Sequence, residues 1–122
     1  MRIYYLASPY THHEKSVRVE RFKAANKAAA HLIERKLIVY SPISMTHPID
    51  EVMADEDATL GSDYWVNFDE AFMEFCTEMI ILPLEGWQAS SGIKRERVFF
   101  ETRGRKVWMY DDFVASLNSA SK

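Results

Sequence analysis

The chain is short of several things, and each shortage excludes a class of protein. It has one cysteine, Cys76, in 122 residues, so no internal disulfide can form and a disulfide-stapled scaffold is ruled out. It has no surplus of basic charge: 15 Lys and Arg are mixed along the chain with 18 Asp and Glu, for a net charge of −3. That balance supplies neither the field that duplex nucleic acid requires nor a polybasic membrane patch. No apolar run approaches the roughly 20 residues of a membrane span. The N-terminus runs directly into an apparent strand, without the charged, apolar and cleavage-site sequence of a signal peptide, which sets the expectation of a reducing cytoplasm. No internal repeat is present.

What the chain does have is apolar mass in a regular order. At 48% hydrophobic and 13% aromatic, residues 1–122 are the length of one ordinary domain and suffice for a single core. Ile3–Ala7, Leu37–Tyr40, Met79–Leu82 and Val107–Tyr110 are short continuous apolar runs, the pattern of parallel strands covered on both faces. Helical spacing fills the intervals, over about Thr11 to Arg35, Ser62 to Cys76 and Gly92 to Arg103, with a last helix from Asp111 or Asp112 and a frayed end over 118–122. Crossovers of this length return the chain for right-handed parallel pairing. The expected fold is a three-layer α/β/α sandwich with a small, mainly parallel sheet of flavodoxin or Rossmann type.

Polar and small residues gather after the strands. Ser8-Pro9-Tyr10 follows the first, and Thr11-His12-His13-Glu14 reads as a capping box that opens a helix. In open parallel sheets ligands bind beyond the carboxyl ends of the strands, where helix N-termini also supply amides. Ser8, Ser90 and Glu96 are therefore expected in one crevice, although ordinary N-capping would equally account for each serine.

Two acids break the pattern of their helices. Glu96 lies three residues after Ile93 and four before Phe100, on the stripe that should face the core. A carboxylate there needs a partner or a cleft wall; the plainer alternative is an edge position paired with Arg103. Asp69 lies four after Trp65 and three before Phe72, beside a second apolar stripe. Two inward carboxylates on helices that flank neighbouring strands can divide labour, one ionised and the other protonated or hydrogen-bonding.

These residues carry a resemblance. Tyr4-Tyr5-Leu6-Ala7-Ser8-Pro9-Tyr10, the Asp69 helix with its following strand, and Ser90-Ser91-Gly92-Ile93-Lys94-Arg95-Glu96 resemble the nucleoside 2-deoxyribosyltransferase superfamily over most of the chain. Within it the chain is most similar to the small DUF1937 group and more distantly to the deoxynucleoside 5'-monophosphate N-glycosidases. The resemblance implies cleavage or transfer of the bond between a nucleobase and a 2-deoxyribose. Glu96 matches the nucleophile and Asp69 the acid that orients or protonates the departing base, with no metal and no cofactor. Tyr5, Ser8, Pro9, Trp87, Ser90 and Gly92 would bind substrate, with Tyr4 or Tyr5 and Trp87 stacking on the base. Negative charge suits a sugar that becomes oxocarbenium-like as the base leaves.

The chain departs from the pattern in two places. Ser90 stands where nucleoside enzymes of the superfamily carry an acid, which favours a 5'-monophosphate, since a serine at a helix start accepts a phosphate that an aspartate repels. Lys94, Arg95 and Phe99 stand where the superfamily prefers small residues, and Phe99 would narrow the pocket. Arg18 and Arg21 are candidates for phosphate charge.

Pro42 to Ser62 has scattered apolar residues and the acids Asp50, Glu51, Asp55, Glu56 and Asp57, the profile of a mobile covering loop. Those acids lack calcium-loop spacing, and His12, His13 and His47 lack zinc-ligand spacing, so no metal site is expected. Two non-catalytic alternatives stand beside the enzyme: a nucleotide-binding or sensing module of the same fold, and an interaction protein whose Glu96 is a structural ion-pair partner. Trp87, Phe99, Phe100 and Trp108 competing for one core suggest a homodimer or higher homo-oligomer.

Overall fold

The four apolar runs form one sheet, all strands parallel, in the order β2-β1-β3-β4. The computed structural model describes residues 1–120. Its strands are β1 (Tyr4–Ala7), β2 (Val39–Tyr40), β3 (Glu78–Ile81) and β4 (Lys106–Met109), and its helices are α1 (Lys15–Glu34), α2 (Pro42–Asp55), α3 (Ser62–Met73), α4 (Ser91–Thr102) and α5 (Tyr110–Ala120). β1 pairs with β3 over its whole length, from Tyr4 opposite Glu78 to Ala7 opposite Ile81. It meets β2 only at Tyr4 with Val39 and Tyr5 with Tyr40.

Alternation along the strands sends side chains to two separate cores. Tyr5, Ala7, Met79 and Ile81 point to one face and pack with Met73 of α3 and Ile93, Phe99 and Phe100 of α4. Tyr4, Leu6 and Ile80 point to the other and pack with Ala28, Ala29 and Leu32 of α1 and Phe113 of α5. With both faces covered, no position of β1 is free for a polar residue, and all four are buried. The alanines on α1 let that long helix lie close against the sheet. This is the expected three-layer sandwich.

Three local expectations are corrected. The Thr11–Glu14 capping box does not form: α1 begins at Lys15 with Glu14 at the N-cap and no side-chain cap, and the Glu14 amide donates instead to His12 Nδ1 at 3.0 Å. The stretch expected as a loop over Pro42 to Ser62 is helix α2 as far as Asp55, Pro48 included, and only residues 56–61 are irregular before α3 begins. Pro48 has no N–H to offer the Ser44 carbonyl, and this missing bond together with the run of acids is what made the segment read as irregular. The fraying expected beyond Leu117 does not begin there, since α5 continues to Ala120; residues 121–122 lie outside the described residues.

The order of the strands reverses at β1. The chain steps from β1 to β2 on one side, then returns past β1 to β3 and β4 on the other. Between the carboxyl ends of β1 and β3 the connections diverge and leave a crevice. α2 leaves β2 at the same end of the sheet and forms one of its walls.

Candidate active site

A cavity of about 840 Å³ opens at this switch point, within the size range of small-molecule sites. Ser8, Pro9 and Tyr10 line it from the end of β1, Thr46, His47 and Asp50 from α2, Trp65 and Asp69 from α3, Ser90 from the N-cap of α4, and Gly92, Arg95 and Glu96 from α4 itself.

Glu96 is 7% exposed, held by the burial of its neighbours Ile93, Phe99 and Phe100 on α4. It enters no ion pair among the described residues; the Arg103 expected as its partner bonds to Glu74 at 3.2 Å. Its partner is the Tyr5 hydroxyl, which donates to Glu96 Oε2. Burial raises the Glu96 carboxyl to about 7, the Tyr5 hydrogen bond and the Arg95 guanidinium pull it back, and the charge of Asp69 pushes it up. Asp69 is likewise pushed up to about 6, chiefly by burial, with Arg95 again opposing. The two carboxyls are thus close enough to feel each other's charge, and Arg95 faces both.

Asp69 Oδ1 and Ser8 Oγ are buried without a hydrogen-bond partner. Buried polar atoms are almost always satisfied, and both of these belong to residues on the cavity wall. Ser90 caps α4, its Oγ accepting from the Ile93 amide at 3.2 Å, so the ordinary capping role is present and the residue also borders the cavity. Gly92 leaves room beside it, where an added Cβ would lie 3.7 Å from Ser90 Oγ and 3.8 Å from Arg95 Nη2.

Three residues expected on substrate stand elsewhere. Tyr5 is fully buried and takes its place behind Glu96, so it cannot stack on a base. Tyr4 is buried in the opposite core. Trp87, in a 3-10 turn over Trp87–Ala89, packs partly buried against the Tyr5 core and is not on the cavity wall. Apolar runs make tyrosines read as core, and only the contact across to α4 distinguishes Tyr5.

A family model described as a domain of unknown function, DUF1937, matches residues 2–112. The chain belongs to the DUF1937 family. No curated protein matches it. The matched span includes all of β1 to β4 and every cavity residue named above, so the site lies wholly within the DUF1937 domain.

The bulky residues around Glu96 of this DUF1937 domain do not fill its cavity. Lys94 is exposed, and Phe99 turns to the core with Arg103 over its ring at 3.5 Å. Arg95 alone of the three borders the cavity. Arg21 also borders it, but its guanidinium donates to the Thr11 carbonyl at 3.1 Å and the Glu85 carbonyl at 3.0 Å, tying together the loops that follow β1 and β3. Gly86 sits under this clamp with φ of 88°, where a Cβ would meet Arg21 Nη2 at 3.1 Å. Arg18 donates to the His12 carbonyl. Tyr10 and His47 were not anticipated; the sign available was His47 and Glu51 at helical spacing, legible only once α2 is taken as a helix.

Replacing Tyr5 by Phe removes the donor that holds Glu96 in its ionised form. The Glu96 carboxyl is then expected to titrate at higher pH than about 7, read by carbon NMR of the labelled side chain. An unchanged titration would refute the coupling.

Proposed function

We propose that this domain breaks the N-glycosidic bond of a 2-deoxynucleoside or its 5'-monophosphate, with Glu96 as nucleophile and Asp69 as the acid at the departing base. The observation that carries it is the pair of carboxyls in one cavity, both raised toward neutrality, one held from behind by Tyr5 and the other with an unpartnered oxygen at the wall. Raised carboxyls with distinct surroundings mark acid and nucleophile roles. The resemblance to the nucleoside 2-deoxyribosyltransferase superfamily supplies the substrate class.

In the first step an oxygen of Glu96 attacks the anomeric carbon as the carbon–nitrogen bond breaks, and the electron pair of that bond leaves with the base, which takes a proton from Asp69. In the second, water or another base attacks the same carbon and frees Glu96. The ionised Asp69 then receives the proton from the incoming group. The ligand's 5' end faces Ser90 and the start of α4 when a phosphate is present.

A shared proton sets the pH dependence. Below about 6 both carboxyls are protonated and there is no nucleophile; above about 7 both are ionised and there is no acid. In between the pair holds one proton, more often on Glu96, and the reactive form is the minority in which that proton sits on Asp69. kcat/KM is expected to be bell-shaped with its maximum between about 6 and 7, and a plateau rising through pH 8 would contradict the pairing.

The decisive assay is chromatography of base released from a panel of deoxynucleosides and their 5'-monophosphates, with and without a free acceptor base. Release establishes the reaction, and its dependence on acceptor separates transferase from hydrolase. Binding without release would assign the cavity to nucleotide sensing instead.

A homodimer or higher homo-oligomer accompanies this reading on different residues from those first considered. Phe99 and Phe100 are buried, whereas Phe75 is 75% exposed and Phe72, Val98 and Tyr64 are exposed too, on and just beyond α3 and on α4.

A further inference from the structure

Glu51, His47 and Tyr10 form a chain that ends at the cavity, separate from the two carboxyls. His47 is 7% exposed, its ring stacked on Phe22 of α1 with centroids 4.4 Å apart and met edge-on by Tyr10. Its Nε2 is 3.1 Å from Glu51 Oε1, one turn along α2, and its Nδ1 is 2.5 Å from the Tyr10 hydroxyl. Lys15 Nζ approaches the other Glu51 oxygen at 3.8 Å.

With Glu51 ionised and His47 neutral, the order of donors along this chain is fixed. An ionised carboxylate only accepts, so the hydrogen of a neutral imidazole sits on Nε2. Nδ1 then carries a lone pair and can only accept, and the one proton of Tyr10 is committed to it. The Arg18 guanidinium donates to the Tyr10 oxygen as well, and what Tyr10 has left for the cavity is its remaining lone pair. Burial and the charges of Asp50 and Glu51 hold the phenol protonated against the pull of the Arg18 guanidinium. Thr46 and Asp50 border the cavity beside it, and Asp50 adds a second acceptor.

We propose that Tyr10 is a specificity-determining residue that accepts a hydrogen bond from a proton-donating group of the ligand, a sugar hydroxyl or a base amino group, and that His47 and Glu51 are positioning residues that fix it as an acceptor. The naming of those two groups rests on the nucleotide reading above; the donor order does not.

Two measurements test it. Nitrogen NMR of the histidine-labelled full chain at about pH 8, above ordinary imidazole titration, is expected to show His47 with Nδ1 bare and Nε2 protonated, and Glu51→Leu is expected to mix the tautomers. The opposite tautomer overturns the proposal without any ligand. Calorimetry on the Glu96→Gln chain then compares a deoxynucleoside monophosphate with its 3'-deoxy analogue, and deoxyadenosine monophosphate with deoxyinosine monophosphate. One pair is expected to differ by about 10-fold, the value of one hydrogen bond, and Tyr10→Phe to bring that ratio to about 1 with the weaker ligand of the pair little changed. Which pair responds identifies the donor. A ratio that survives Tyr10→Phe, or no binding by any of the ligands, overturns the proposal, whereas absence of base release in the parent chain bears only on the glycosidic reaction.

Discussion

Glu96→Gln is expected to lower base release by at least ~10³-fold and, at pH 8, to make the protein more stable. The activity loss follows from removing the carboxylate proposed to attack the anomeric carbon; an amide cannot form and release the glycosyl ester. The stability gain follows from linkage. The folded-state value of about 7 lies above the ordinary 4.5 of a glutamate, so the native protein keeps a proton that the unfolded chain has already lost. Stability is full below about pH 4.5 and falls as pH rises through about 7. Once Glu96 is ionised the cost is on the order of 2–3 kcal/mol, and a neutral glutamine avoids it while still accepting from Tyr5. A Tm at pH 8 higher by roughly 10 °C is expected, with the difference shrinking toward pH 5. A variant less stable at pH 8 would mark Glu96 as a structural residue, and with it the catalytic assignment would fall.

Asp69→Asn is expected to lower base release by about 10²-fold or more, because the departing base loses its acid. Little stability should be lost, since Asp69 Oδ1 has no hydrogen bond to give up. The substitution also removes a negative charge that raises Glu96 once Asp69 is ionised, and it removes the proton whose loss ends activity above about 7, so the basic limb of the profile should disappear. The residual activity of the variant should favour substrates whose bases leave without protonation. A basic limb that persists in the variant would show that Asp69 is not the acid of the pair.

The sheet was legible because burial on both faces leaves an unbroken apolar run at each strand, and the two acids were legible because they interrupt apolar stripes. Helix α2 was not, since Pro48 and the acids around it outweigh the start signal that Pro42 gives at the first turn. Losing α2 also hid His47, whose relation to Glu51 exists only on a helix. The role of Tyr5 was hidden for the opposite reason: its side chain is as buried as a core residue, and what sets it apart is a hydroxyl aimed 91 positions along the chain at Glu96. Arg95 reads in the sequence as bulk beside Glu96, but its charge acts on both carboxyls, a relation that sequence spacing does not contain.

The brevity of the outer strands governs how copies of this protein can meet. β2 offers an incoming chain only Val39 and Tyr40, and β4, at the far side, is four residues long and begins at Lys106, whose ammonium lies 4.0 Å over the Trp108 ring. Neither rim is long enough to template a growing ladder. Edge-to-edge growth is thereby blocked at both sides of the sheet, and concentrated solutions are expected to be free of filaments.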